Sequence, residues 1–400
     1  MINFCANCPV AVRRPQKLCM MPGTQRGARA SIRANALVFA LLSFCAGVGV
    51  AIPAVVAGVR GKTGRAYGDY SSDICSEEDW RKTSLKLVRQ LPVPALFTDL
   101  KDTMKWEASG TTILNGNQVF MIFDSLDYIG YTNIFLEYRS PDNMLIGRAS
   151  VGESQFEAIM YSGDTKTFLL VREAVPDDEK AKTFAPSVVE ARVGTEAYDV
   201  LEECTVDYKF DSDNKGFEGG AYFAIGGERF LLGLCGGNHC QGGARGQDIG
   251  NGMAVLTKYV RDKEGKCLWS FVKELSLPKD ADFVDYADMA VYYDDFRSGD
   301  VGTVAVVSQE SSAIWVGTLD IGKWEFLGPG RTMHFPRSET CEIVFCNIEG
   351  ISFVDRYQIV ATSDRSKATQ DYKCVGNDQV LDTVQRYNIP THAHTYTLSV

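Results

Sequence analysis

Five acidic residues recur in one local setting. Glu107, Glu157, Glu218, Asp288 and Glu349 each open a short apolar run and are followed by small or apolar residues, in "WEASG", "FEAIM", "FEGGA", "ADMAV" and "IEGIS". Carboxylates are hard oxygen donors, and a set of them brought together would suit Ca2+, which takes carboxylate, carbonyl and water oxygens. A second tier follows at the end of the next apolar run. Asp124, Glu173 and Asp364 fall 17, 16 and 15 residues after their markers, and Glu310 follows an insertion in the fourth repeat. Two tiers of acids at one mouth would make a metal site. The alternative is that these carboxylates accept backbone N–H bonds and brace loops.

Hydrolysis is the enzymatic use of such a site. A bound Ca2+ could polarise a phosphoryl or carbonyl oxygen while a nearby group activates water. His239, on the loop "GGNH", is the best-placed base; a single histidine there more often bonds to backbone. His334, His392 and His394 are weaker candidates. Ser109 and Ser308 would need a base alongside, and no Gly-x-Ser-x-Gly elbow is present. "GGARGQDIGNG", residues 242–252, follows no phosphate-loop or dinucleotide spacing and reads as a plain loop.

Acids so far apart in sequence meet only if the fold repeats. Successive markers are 50, 61, 70 and 61 residues apart, and each interval holds about four β-like runs separated by Gly, Asp, Asn or Pro turns. The runs are 110–114, 118–123, 133–139 and 144–150; 158–161, 167–172, 187–193 and 198–210; 220–224, 229–234, 252–260 and 267–277; then 289–293, 303–308, 313–319 and 323–327. No long 3.6-residue pattern interrupts them. Four strands per repeat predicts an all-β fold, a single β-propeller. The last repeat has 350–354, 357–362 and 394–400 and lacks one strand, which residues 83–93 could supply, closing the ring and removing open sheet edges. Five four-stranded blades are expected, with six as the alternative; a β-sandwich gives no reason for one acid per four strands. In a propeller the first strand of each blade lines the channel, so the markers would converge. Carboxylates about 8 Å apart repel by roughly 2 kcal/mol per pair at an effective dielectric near 20. Such a ring needs a cation, raised pKa values or hydrogen-bond donors.

Bulk features set the compartment. Of 400 residues, 45% are hydrophobic and 23% charged, a globular mixture. Residues 1–60 carry seven Lys or Arg and no acid, so the excess of 51 acids over 41 bases lies in the remainder. That body is too negative for a nucleic-acid partner. Residues 34–59 are uncharged over a length that could cross a bilayer. Residues 1–60 therefore read as a targeting or anchor segment, 61–80 as a polar linker and 81–400 as the propeller. Secretion or a single-pass anchor is expected, with a plastid or mitochondrial address as the alternative; membrane contact would come only through 34–59. Eight cysteines follow the leader, which is compatible with disulfides, and Cys235 and Cys240 could close a small loop. A metal cluster of Cys235, His239 and Cys240 is the sharper alternative but lacks a fourth donor. No Asn-x-Ser/Thr site is present. A monomer that binds a small-molecule or protein ligand is expected.

"NKGFEGGAY", "VAVVSQESSAIWVGTLD" and "IEGISFVDRYQIVATSD" resemble the SdiA-regulated proteins and the related phytase-like, or esterase-like, propeller domains. Blades there commonly read Glu-Gly-hydrophobic-Ala followed by an apolar strand ending in Ser-Asp or Ser-Glu. The resemblance covers residues 80–400 and implies a propeller, with phosphate- or carboxyl-ester hydrolysis as one activity. This chain departs from the pattern at Asp288, at Ala108, Ala158 and Met289 in place of Gly, and at Cys235, where the second-strand acid is expected.

Overall fold

Strands in this chain bury both faces, so alternate residues feed different cores. In the strand Val301–Ser308, Val304 and Val306 enter one buried cluster while Ala305 and Val307 enter the next. The computed structural model describes residues 83–97, 105–138, 140–147, 154–178, 183–212, 215–293, 301–339, 342–365 and 381–390. The leader, the 61–80 linker, His392, His394 and the expected strand 394–400 lie outside the described residues.

The chain enters on β1 (Lys86–Pro92) and a helical turn, α1 (Val93–Leu96). The first meander is β2 (Ala108–Leu114), β3 (Gln118–Phe123), β4 (Leu126–Asn133) and β5 (Met144–Gly147). The second is β6 (Phe156–Ser162), β7 (Thr167–Asp178), β8 (Thr183–Val193) and β9 (Tyr198–Val206). The third is β10 (Phe217–Ile225), β11 (Glu228–Cys235), β12 (Met253–Arg261) and β13 (Cys267–Ser276), with the helical turn α2 (Gly243–Gly246) in its long loop. The fourth is β14 (Asp288–Tyr292), β15 (Val301–Ser308), β16 (Ala313–Asp320) and β17 (Glu325–Phe326), joined by β18 (Arg331–His334), which also pairs with β16. The fifth is β19 (Ile348–Asp355), β20 (Gln358–Ser363) and β21 (Thr383–Asn388), completed by β1 on the far side of β21.

The expected closure by the amino-terminal strand is present: Lys86 pairs with Asn388 and Pro92 with Thr383. Three element expectations need correction. The third strand of the first meander is β4 at 126–133, not 133–139, because Leu136 takes a left-handed conformation in the turn that follows it. The third strand of the last meander is β21. β18 was not anticipated.

Five buried clusters lie between consecutive meanders, and one joins the fifth to the first through Val360, Val384, Ala108 and Met121. Inner strands also touch in a cycle. A β-carbon on Gly110 of β2 would lie 2.8 Å from Glu157 O of β6, and one on Gly219 of β10 would lie 2.5 Å from Asp288 Cα of β14. Ile351 N of β19 donates to Asp288 Oδ2 at 2.8 Å, and a β-carbon on Gly350 would collide with Ser109 O of β2. Gly110, Gly219 and Gly350, at or near the start of three inner strands, are therefore what lets those strands approach their neighbours. The fold is an all-β propeller. One joint is unusual: β13 and β9 pair in parallel at Leu268–Thr205 and Trp269–Val206, fusing the second and third meanders into one eight-stranded sheet. Among the described residues no helix is long and apolar enough to cross a membrane.

Candidate functional site: an acidic mouth around Lys215

A charge can open an apolar strand because the backbone bulges there. Register shifts between Phe217 and Gly219, between Phe156 and Ala158, and between Ile348 and Gly350, leaving Glu218, Glu157 and Glu349 as the extra residue in each case. A bulge re-aims one side chain out of the regular alternation, here the marker acid. Glu107 instead precedes β2 in a left-handed conformation, and Asp288 pairs regularly with Val307. The repeat thus has one sequence signature and three local geometries.

The acids fall into different environments. Glu107 is buried, accepts from the Ser125 hydroxyl and pairs with Lys105. Asp288 is buried and accepts from its neighbour Met289 N at 2.7 Å as well as from Ile351 N. Burial pushes its carboxyl well above the usual range, while N–H groups of Ile351, Met289 and Gly220 work against that. It braces three inner strands, the alternative use weighed for these acids. Asp124 lies beyond β3, where its carbonyl accepts from Ser154 N and Gln155 N. Asp364 is fully buried and sits against Asp382, which precedes β21.

Glu157, Glu173 and Glu218 do come together. The Ser109 hydroxyl donates to Glu157 Oε2 at 2.8 Å, and Gly216 N donates to Glu173 Oε1 at 3.0 Å. Glu218 keeps 18% of its side chain exposed, with Lys215 Nζ 4.0 Å from its Oε1. Burial first, then the Glu173 and Glu157 carboxylates, push Glu218 well above the ordinary range; Glu173 also hydrogen-bonds to it, and Lys215 offsets this only in part. Burial acts against the Lys215 charge, yet Glu218, Asp285, Glu173 and Glu310 outweigh it and hold the ammonium above its usual pKa. Asp285 accepts from the Ser308 hydroxyl at 2.5 Å and from Glu310 N at 3.2 Å. Its burial, then the Glu310 charge, push it up to about 6.

Of these groups Lys215, Asp285 and Glu310, but not Glu157, Glu173 and Glu218 behind Lys215, line a cavity of about 220 Å3, together with Gln309 and glycines that include Gly236 and Gly237. Its floor is the loop expected to be closed by a disulfide, and Cys235 and Cys240 are bonded. The disulfide therefore stands where the second-strand acid is missing from the repeat. With both sulfurs engaged, the alternative cluster of Cys235, His239 and Cys240 has no thiolates to offer. His239 has a left-handed backbone, and its Nε2 lies 2.9 Å from Asp248 Oδ2; it is not among the residues lining the cavity. His334 is largely buried next to Arg337, and burial lowers it to about 4. Ser109 and Ser308 donate to carboxylates, as helpers to Glu157 and Asp285.

Lys215, Asp285 and Asp382 are the functional groups the repeat did not reveal. Lys215 and Asp285 both stand three residues before a marker acid, in "KGFE" and "DYAD", so a charge at that position was the available signal. Chemically, the mouth offers several carboxylates around one ammonium, with Glu218 and Asp285 both raised by burial and like charge, which suits a cation or acid–base work.

No protein-family model and no curated protein matches the chain. Solved structures similar to it include a GH43_1 enzyme from Xanthomonas citri complexed with xylose, at 9% identity and a TM-score of 0.43, covering 80% of this chain and 92% of that one. The PQQ-bound aldose sugar dehydrogenase of Streptomyces coelicolor aligns at 8% identity and 0.39, covering 76% and 98%. The Dos1 propeller aligns at 10% identity and 0.32, covering 64% and 52%. Likeness at this level carries no functional argument.

Proposed function

We propose that this chain is a five-bladed propeller, exported or membrane-anchored, that binds a ligand or partner through a cation held at its acidic mouth. The observation that carries the reading is the convergence of Glu157, Glu173 and Glu218, two of them sharing a hydrogen bond, beside Lys215 and a glycine-lined cavity. Five clusters shared around the ring support the blade count, and the Cys204–Cys267 and Cys235–Cys240 disulfides support an oxidising compartment. Kinship with the SdiA-regulated and phytase-like propellers is part of the proposal.

The donor set fits Ca2+. Glu157, Glu173 and Glu218 are hard oxygen ligands whose mutual repulsion a divalent ion would relieve, and Lys215 already acts as a resident monovalent counterion. Calcium would bridge these carboxylates to an anionic or hydroxylated ligand. Asp288 and Glu107 contribute elsewhere, through the backbone N–H groups, Ser125 and Lys105 described above. Calorimetric titration of the protein with Ca2+ should give a saturable heat that Glu218→Gln weakens at least tenfold. No heat from the unmodified protein removes the cation.

One observation favours hydrolysis as a second reading. Burial raises both Glu218 and Asp285, the latter to about 6, with Lys215 acting on each, and carboxyls held above their ordinary range beside an ammonium suit general acid–base work. A panel of phosphate and carboxyl esters, with and without Ca2+, separates catalyst from binder.

A further inference from the structure

The acidic mouth is split across a seam. Glu157 and Glu173 belong to the second meander, Lys215 and Glu218 to the approach and first strand of the third. From the inner strands to the outer ones, that seam carries a series of cross-links, the first of them at the end of β6 and β10 away from the mouth. The Tyr222 hydroxyl of β10 donates to Asp164 Oδ1 at 2.7 Å, and Arg229 of β11 pairs with Glu190 of β8 at 2.7 Å while packing over Tyr259. The Tyr259 hydroxyl and Arg261 of β12 both reach Glu202 of β9, at 2.8 and 2.5 Å. At the rim, Cys204 of β9 is disulfide-bonded to Cys267 of β13, next to the parallel pairing of the same two strands. Among the described residues, the other meanders form separate sheets.

We infer that this seam is a positioning device: the Cys204–Cys267 bridge and the Glu202–Arg261 and Glu190–Arg229 pairs fix the angle between the second and third meanders and so set the spacing of Glu157 and Glu173 from Glu218. The inference rests on the cation-binding reading for its consequence and on the seam alone for its geometry. A carboxylate cluster drawn from two meanders is only as well placed as the joint between them, and metal ligands tolerate errors of a few tenths of an ångström. An open joint would let the like charges move apart, because their repulsion pushes that way. The clasp opposes that force at the end of the longest lever the sheets provide. Glu202, Cys204 and Cys267 lie close enough to suggest a metal cluster, but both sulfurs are spent in the disulfide.

The test uses the full chain carrying Cys204→Ser with Cys267→Ser, and two readouts: Ca2+ affinity by calorimetry, and amide hydrogen exchange. The expected result is a tenfold or greater loss of Ca2+ affinity, with faster exchange at residues 157–159 and 218–220 and none at β20. An affinity within twofold of the unmodified protein, with unchanged exchange at β6 and β10, overturns the inference. Should the double variant not fold, Arg261→Gln leaves the bridge intact and should give a smaller shift in the same direction; no shift in either readout overturns it. If the unmodified protein binds no Ca2+, the cation-binding reading fails, and exchange at β6 and β10 alone decides the seam's role. Ile359→Val, in the core between the fourth and fifth meanders, separates positioning from stability. An equal affinity loss per degree of melting temperature in that variant counts against positioning.

Discussion

Two carboxyl pairs occupy related places in the repeat and are put to opposite uses. Glu173, midway along β7, the second strand of its meander, meets Glu218 beside Lys215, which lines the cavity. Asp364, just past the end of β20, meets Asp382 where both are buried. Asp382 accepts from Ala108 N and Arg365 N, each at 3.0 Å, and its carbonyl accepts from Val93 N at 2.8 Å. One residue therefore ties the entry to β21, the end of β20, the head of β2 and the α1 turn across the closure of the ring. Asp382 is held by the backbone donors Ala108 N and Arg365 N, whereas Glu173 accepts from Gly216 N alone and its partner Glu218 faces the Lys215 ammonium, the arrangement on which the proposed ligand binding rests.

The largest expected effect breaks the structural pair. Asp382→Ala strands the buried Ala108 N–H at about 1–3 kcal/mol, while Arg365 N keeps Asp364 Oδ1 at 2.7 Å, so a loss of roughly 1–3 kcal/mol is expected in urea unfolding. A loss below about 1 kcal/mol would mean that closure rests on the β1–β21 ladder alone.

The pH dependence follows next. Burial, then the Asp364 charge, push Asp382 up to about 7, against 3.8 when unfolded. The folded state then binds the proton more tightly than the unfolded one. Its contribution is complete below about 4 and is lost as pH rises through about 7. The urea midpoint should fall between pH 5 and pH 8 by an amount on the order of a few kcal/mol in stability. Asp382→Asn should reduce that slope by the share of this one group, leaving the parts due to Asp285, which is pushed up to about 6, and to the raised Glu218 and Asp288. An unchanged slope would relocate the titration to those groups.

The comparison also marks what the residues disclosed beforehand. Marker acids, most strand positions and closure by the amino-terminal strand are all local signals: apolar runs, turn residues and one acid per four runs. The bulges at Glu157, Glu218 and Glu349 were latent in the acid-plus-small signature. Asp382 was not legible, because a carboxylate before a strand reads as a turn residue until the fold brings Ala108 and Asp364 to it. β21 carries no apolar run, because Gln385 and Arg386 interrupt its apolar residues, although Val384 and Tyr387 are fully buried. β4 was displaced for a similar reason, since "LDYIGYTN" mixes Asp127 and Gly130 into a strand that packs through Ile129. The parallel joint of β9 and β13 has no local signal. It is a property of two edges that meet.

At the open pair the sign reverses. Glu218→Gln keeps the shape and removes one acid from a site where Glu173 and Glu157 oppose its charge, so stability at pH 8 should stay level or rise by about 1 kcal/mol while Ca2+ binding falls. A destabilisation of about 2 kcal/mol or more, seen as an earlier urea midpoint, would make this pair structural as well and erase the contrast.

The smallest effect belongs to His239. Its Nε2 lies against the largely exposed Asp248 carboxylate, and pairs with one partner in solvent contribute about 0–1 kcal/mol. Asparagine tolerates the left-handed backbone that His239 adopts, so His239→Asn isolates the ring from the conformation. Stability should change by less than about 0.5 kcal/mol, and Ca2+ affinity and any ester hydrolysis should stay within twofold. A tenfold loss of either would bring the Asp248–His239 pair into the mouth's chemistry. The open carboxyl cluster would then need a base from the glycine loop, and availability alone would no longer explain how it differs from the buried pair.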